Sequence, residues 1–494
     1  MDQKITELEG AKIYTPIRIA GLILGFACLV MPHVLPPPSG LSNAGWNVVG
    51  VALLMAIWWV TGPIHITATA LIPLVAFPVL GIANIKDAAS GFAHPLVFLF
   101  MGGFFIARAL QRWNLHKRIA LNIASRVGTR PDMLILGFMI AVAFLSMWVS
   151  NTATAVMMLP VAASVIAYIG KGDDLHKEQD GVGTAMMLAI AYAASIGGIG
   201  TLIGTPPNAF MAAFLSSEYE IDISFVGWML LAVPIVMIML PATWFVLTHI
   251  LYPECKKESD KNGRSIIQEA LKDLGRPKMA EKRVGLIFFL AASLWMCRPL
   301  LNKVEIFANL NDTSIGIFCG LLLFLLPSGN SGAEKDQRLL SWQDAEKLPW
   351  GVLVLFGGGL SLAAAIGSTD VASWIGAGLS SMADIPLFML IFVICTTILL
   401  LTELTSNVTT TAAFLPIVAS IAVASGIPPL LLAAPAALAA SCAFMLPVAT
   451  PPNAVVFASG YISVSQMIKA GIFINLIAII VITLASRFML PLVL

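Results

Sequence analysis

SNTATAVMMLP at residues 150–160 and SNVTTTAAFLP at residues 406–416 are near copies of one another in a chain with few polar residues. Five of the eleven positions are identical: Ser150/Ser406, Asn151/Asn407, Thr154/Thr410, Leu159/Leu415 and Pro160/Pro416. In each copy the polar triplet lies midway along an apolar run about twice the length of one helical arm. A second pair follows, Thr205-Pro206-Pro207-Asn208-Ala209 and Thr450-Pro451-Pro452-Asn453-Ala454. The order polar triplet, apolar stretch, TPPNA therefore occurs twice. Hydrophobic segments interrupted at corresponding places in two halves point to a ligand site at membrane depth.

Composition sets the class. With 58% hydrophobic residues, 11% charged residues and a mean hydropathy of +0.90 over 494 residues, the chain reads as an all-α polytopic membrane protein, because runs of ~20 apolar residues recur along it. A net charge of +1 gives no sign of a nucleic-acid partner. The six cysteines, Cys28, Cys255, Cys297, Cys319, Cys395 and Cys442, are scattered, with neither metal-ligand spacing nor a disulfide pattern. The charged N-terminal stretch leads into a full-length apolar span, which reads as a retained first helix rather than a cleaved signal.

In chain order, spans are expected near 17–36, 47–61 and 64–83, then a long helix near 94–120 that Gly102-Gly103 either breaks or packs closely, with a basic, amphipathic end. Segment 131–169 is too short for two spans joined by a water-exposed loop, so it reads as a re-entrant hairpin with its tip at Ser150-Asn151-Thr152. A helix at 184–215, broken at Gly204 to Pro207, and a span at 226–252 follow. The second half repeats the plan: spans near 282–301, 313–327 and 349–380, a hairpin at 384–425 with its tip at Ser406-Asn407-Val408, a helix at 429–459 broken at Thr450 to Pro452, and a last span at 464–490. The domain reading is a first repeat with its N-terminal helices over 1–252 (hairpin 131–169, broken helix 184–215), a polar cytoplasmic linker over 253–283, and a second repeat over 284–494 (hairpin 384–425, broken helix 429–459). The triplets are offset by 256 residues and the TPPNA motifs by 245; the difference falls in the polar loop 170–183.

Lys and Arg set the orientation. With the N-terminus cytoplasmic, 24 of the 28 fall in cytoplasmic segments, leaving Lys86, Arg298, Lys303 and Arg487. The first hairpin is flanked by Arg130 and Lys171, so it enters from the cytoplasm. The stretch 348–468 contains no Lys or Arg, so the second hairpin enters from the far side. The halves are then inverted repeats whose tips meet near the midplane, with the C-terminus outside and the plasma (inner) membrane as the location.

Backbone that leaves helical geometry inside the bilayer is tolerated only where protein, water or a ligand satisfies it. Ser, Asn and Thr are good helix N-caps, and a Pro pair suits the first turn of a new half-helix. Helix N-termini pointing inward favour anions such as carboxylates. Since segments 131–170 and 348–468 lack Lys and Arg, the counter-charge falls to a co-bound small cation held by carbonyl, hydroxyl and amide oxygens.

On these doubled triplets and TPPN-type breaks, from about residue 17 to 490, the chain resembles the divalent anion/sodium symporters, the INDY-like sodium-coupled di- and tricarboxylate transporters. The resemblance implies a homodimer of protomers with about eleven transmembrane helices and two oppositely entering hairpins, moving as an elevator. It implies one sodium site from Ser146, Ser150, Asn151 and the Gly204 backbone, and a second from Thr402, Ser406, Asn407 and the Ala449 backbone. It further implies substrate contacts from Ser150, Asn151, Thr152, Thr205 and Pro206 on one side, and from Ser406, Asn407, Val408, Thr450 and Pro451 on the other. Val408 stands where the repeated pattern puts Thr. Sodium is expected as coupling ion, with no cofactor.

Plainer readings accompany several residues. Ser and Thr in membrane helices commonly bond their own i−4 carbonyl. Pro160 and Pro416 read as kinks. Glu403 is a functional candidate as an intramembrane acid, or else pairs with a local donor or faces water. Arg108, Arg112, Lys117 and Arg118 read as an interfacial helix, with anionic lipid as a lesser partner. His65 and His94 lack a companion at metal-ligand spacing. The expected function is sodium-coupled import of small di- or tricarboxylates (succinate, malate, fumarate, with citrate a further candidate). Dicarboxylate exchange through the same site is the alternative. An intramembrane enzyme would need HExxH, paired intramembrane Asp or GxSxG, and the sequence contains none.

Overall fold

Lipid cannot satisfy peptide N–H and C=O groups, so a chain this apolar folds into helices that satisfy them internally. The structure is a computed structural model and describes residues 15–128, 130–169, 181–256, 264–330, 337–378 and 385–493. The N-terminal stretch 1–14, most of the loop 170–183, part of the linker and the loop cations Lys4, Lys12, Lys171, Lys177 and Lys335 lie outside the described residues. Among those described, the single β contact is an isolated bridge between Pro327 and Arg338.

Two spanning helices open the chain, α1 (Pro16–Val34) and α2 (Asn43–Thr61). The stretch 64–83, expected as one span, is two short helices, α3 (Ile66–Thr69) and α4 (Ile72–Val79). Pro73 lacks the N–H that would bond the Thr69 carbonyl, so the helix is interrupted at Ala70 and Leu71. Next come α5 (Ile85–Ser90), α6 (Pro95–Arg112) and α7 (Leu115–Ala124). The helix expected over 94–120 breaks at Asn114, whose φ of 55° lies in the left-handed region that Asn tolerates. Gly102 does not break α6; a Cβ there would lie 2.5 Å from the Gly316 carbonyl carbon, so the glycine permits close helix contact.

The first hairpin is α8 (Pro131–Ser146) and α9 (Asn151–Ile169). The broken helix is α10 (Gly181–Ile199) and α11 (Pro206–Tyr219), followed by α12 (Phe225–Phe245) with a π-helical turn to Leu251. The linker carries α13 (Arg264–Asp273). The second half runs through α14 (Met279–Leu301), α15 (Asp312–Leu325), α16 (Trp342–Ala345), α17 (Trp350–Ser368) and α18 (Val371–Gly378), the span expected at 349–380 being split at Asp370, φ 61°. Then come the second hairpin, α19 (Leu387–Thr402) and α20 (Asn407–Ala424), the broken pair α21 (Leu430–Ala440) and α22 (Pro451–Phe457), and the last helices α23 (Val464–Phe488) and α24 (Leu490–Val493).

Burial explains where the breaks sit. All residues of α10 from Gly183 to Ile199, and all of α21, are buried. Helices apolar on every face belong at the centre of a membrane bundle, so these two carry their broken C-terminal ends into the middle of the protein. The outer helices present apolar residues such as Met237, Leu286, Phe289 and Leu476 outward. Ten helical stretches among the described residues are long and apolar enough to cross a membrane. The first arms of the hairpins, α8 and α19, have 16 residues each, about 24 Å at 1.5 Å per residue, short of a ~30 Å hydrocarbon core.

Of the cations expected on an interfacial helix at the end of α6 and α7, Arg112 and Arg118 have partners within the protein. Arg112 pairs with Asp344. Arg118 bonds Glu281 at 2.6 Å and the Gly275 carbonyl at 2.9 Å. Both guanidinium groups therefore stitch the first half to the linker and the second half. His65 and His94 accept N–H bonds from Thr67 and Leu96, as helix caps.

Candidate functional site

Four helices begin around one cavity of about 920 Å³. Its wall includes Ser150, Asn151 and Thr152 at the start of α9, Gly204, Thr205 and Pro206 before α11, Ser406, Asn407 and Val408 at the start of α20, and Ala449, Thr450 and Pro451 before α22. Segments as far apart in sequence as Ser150 and Pro451 thus converge. Pro206-Pro207 and Pro451-Pro452 fill the first positions of their helices, where the missing N–H costs nothing. Ser150 caps α9 by accepting the Ala153 N–H at 3.3 Å, whereas Ser406 makes no such bond and its helix starts uncapped by a side chain. The first N–H groups of α20 therefore have no side-chain acceptor.

Ser146 and Thr402 do not line the cavity; they lie directly behind it. The Ser146 hydroxyl is 2.6 Å from Asn151 Oδ1 and 2.7 Å from the Ala194 carbonyl oxygen. The Thr402 hydroxyl is 2.9 Å from Asn407 Oδ1 and 2.8 Å from the Ala440 carbonyl oxygen. One hydroxyl proton cannot serve two acceptors at once, so each cluster is richer in oxygen lone pairs than in protons. That donor set, hydroxyl, amide and carbonyl oxygen, fits a hard monovalent cation. The same cluster appears in both halves. Gly198 makes room for the first: a Cβ there would lie 2.5 Å from Asn151 Oδ1.

The unwound segments are held open by side chains. Asn208 Nδ2 donates to the carbonyls of Ile199 at 3.0 Å and Thr201 at 2.8 Å, and Asn453 Nδ2 donates to those of Ala443 and Leu446, both at 3.0 Å. These bonds satisfy carbonyls released where α10 and α21 end. The second segment has an additional anchor. Glu403 accepts from the N–H groups of Phe444 at 2.8 Å, Met445 at 3.0 Å and Leu446 at 3.2 Å. Glu403 is 3% exposed and faces neither water nor the cavity, so of the alternatives open from sequence, local donors hold it.

Asn208 and Asn453 stand within the repeated motif, but their anchoring part is not legible in sequence. Nor are Gly198, Trp148 and Val448, the last two of which line the cavity. Trp148 stacks on Phe225 and Trp295, with centroids 6.0 and 6.4 Å away, fixing the turn before the first tip. An isolated Trp in an apolar segment carries no spacing signal.

The chain matches the family model described as the sodium:sulfate symporter transmembrane region over residues 17–494. It is 42% identical over 484 residues to the sodium-dependent dicarboxylate transporter SdcS of Staphylococcus saprophyticus, covering 97% of this chain and 93% of that protein. SdcS of Staphylococcus aureus strain USA300 is 41% identical over 487 residues, covering 98% and 93%. Among solved structures, the YdaH transporter of Alcanivorax borkumensis aligns with a TM-score of 0.61 and 12% identity, over 96% of this chain and 98% of that one, a likeness of fold.

Proposed function

The chain belongs to the sodium:sulfate symporter family, and from that premise we propose that it imports small dicarboxylates in symport with sodium. The dicarboxylate class follows the name of the SdcS relatives. The observation that carries the reading is the doubled oxygen cluster behind a cavity whose inner wall is made of helix starts and has no charged side chain. A dianion entering such a wall meets amide and hydroxyl donors but no fixed cation, so bound sodium supplies the counter-charge.

In this reading Ser146, Ser150, Asn151 and the Gly204 backbone hold one sodium, and Thr402, Ser406, Asn407 and the Ala449 backbone hold a second. Ser150, Asn151, Thr152, Thr205 and Pro206, with Ser406, Asn407, Val408, Thr450 and Pro451 opposite, contact the substrate. The halves 1–252 and 284–494 are inverted repeats joined by the cytoplasmic linker 253–283, in the plasma membrane with the N-terminus cytoplasmic and the C-terminus outside. The resemblance adds a homodimer, lipid-embedded and moving as an elevator. The test is uptake of labelled succinate, citrate and sulfate into proteoliposomes with sodium, lithium or choline outside. Succinate uptake that requires sodium supports the proposal; equal uptake in sodium and choline overturns it.

A further inference from the structure

The cavity wall has two unlike parts. One carries hydroxyl, amide and backbone groups, and the other, beside the C-terminal ends of α6 and α16, carries Arg108, Gln111 and Lys347. Among the described residues, these two cations are the ionisable side chains that line it, and no carboxylate does. Arg108 lies one turn from the end of α6, and Lys347 lies in the loop between α16 and α17, both at the edge of the bundle.

The positive charge of Arg108 and Lys347 is not cancelled. The nearest carboxylate to Arg108 is Asp344, 3.9 Å from Nη2. Asp344 is already engaged, by Arg112 and by the Ser341 hydroxyl at 2.5 Å. Two guanidinium groups thus share one carboxylate. Arg108 Nε is buried without a partner, and Nη1 reaches Gln111 Oε1 at a long 3.4 Å. Lys347 is exposed and makes no ion pair with a carboxylate among the described residues.

We propose that Arg108 and Lys347 form an outer anion station at the cytoplasmic mouth, which holds the carboxylates of a small dicarboxylate on its way to or from the inner site. The inference rests on the proposed substrate class and adds a second, sodium-independent subsite to it. A dianion in the mouth interacts with two cations in a cleft with low-dielectric walls, where field lines are focused and local anion concentration rises. At the inner wall the same dianion needs sodium. Substrate released inward as its sodium ions leave therefore passes to the mouth, and internal substrate collects there before rebinding.

The test compares everted and right-side-out membrane vesicles at fixed sodium, with choline chloride setting ionic strength. In Arg108→Gln/Lys347→Gln, KM for succinate is expected to rise roughly three- to tenfold in everted vesicles at low ionic strength. The rise should shrink at high salt, where charges are screened, and KM in right-side-out vesicles should stay at the wild-type value. Arg108→Lys, which keeps the charge, should behave as wild type, and so should Lys282→Gln, an exposed cation outside the cavity. Arg108→Gln alone serves if the double variant does not accumulate. An unchanged KM in everted vesicles, or an equal rise on both faces, overturns the station. Wild-type vesicles that take up no succinate with sodium would instead overturn the proposed function beneath it.

Discussion

Asn475 Nδ2, on the last long helix, donates to Glu403 Oε1 at 2.7 Å, 72 residues away at the turn of the second hairpin. With the N–H groups of Phe444, Met445 and Leu446, it leaves both carboxylate oxygens acting as acceptors alone. The first half has Met147, which carries no carboxylate, at the matching position. Glu403→Gln puts an NH2 where an acceptor stood, so at least one buried N–H loses its partner at a cost of about 1–3 kcal/mol. The segment it holds runs on to Ala449 and Thr450. We expect the variant to insert, and the sodium concentration for half-maximal uptake to rise several-fold. Wild-type sodium dependence in Glu403→Gln would make the carboxylate a packing element only.

Asn151 and Asn407 each place one amide oxygen against a hydroxyl and line the cavity as well. Removing either amide takes an oxygen from the cluster and a polar group from the cavity wall. Asn151→Ala and Asn407→Ala should each abolish uptake with normal membrane abundance. Gly198→Ala should do nearly the same by a different route, since its methyl would occupy the space 2.5 Å from Asn151 Oδ1. Uptake by Gly198→Ala at the wild-type rate would show that Asn151 can shift without consequence.

Asp344, on the short α16 outside the candidate spans, ties α16 to α6. Burial pushes its carboxyl up, but the Ser341 hydroxyl and N–H bonds and the Arg112 and Arg108 charges outweigh that, holding it below the usual carboxylate range. A depressed folded value means that the stabilisation is fully present above the unfolded value, ~3.9, and is lost as pH falls from there through the folded one. Asp344→Asn should lower the thermal midpoint of the purified protein by the same amount at pH 7 and at pH 5. A difference that shrinks between those two values would contradict this sign.

The parts of the site legible in sequence were those where polar residues interrupt apolar helices at a repeated spacing. Ser150-Asn151-Thr152, Ser406-Asn407-Val408 and both TPPNA motifs carry that signal in the chain itself, because lipid makes an unpaired polar group costly wherever it is not functional. Hydropathy alone misled at 64–83 and 94–120, since a window average does not register the carbonyl that Pro73 leaves unbonded or the left-handed turn at Asn114. The approach of Arg112 to Asp344, 232 residues away, leaves no periodic trace. Sequence therefore places Arg112 and Arg118 on an interfacial helix, and tertiary packing adds their carboxylate partners.

Thr152 and Val408 occupy matching positions on the two tips and both line the cavity. They have nearly the same shape, but Thr152 offers a hydroxyl to a carboxylate and Val408 offers only methyl groups. A ligand held between these two positions would meet a hydroxyl donor at Thr152 and an apolar face at Val408. Val408→Thr should strengthen binding of a compact four-carbon dicarboxylate by one hydrogen bond, on the order of 1 kcal/mol and so several-fold in affinity. The gain should be larger for succinate than for citrate, whose additional carboxylate reaches other donors or needs the space beside Val408. Thr152→Val removes the existing hydroxyl and should weaken both ligands. Competition of unlabelled succinate and citrate against labelled succinate measures each effect, and unchanged inhibition constants for both ligands in Val408→Thr would put residue 408 outside the substrate's reach.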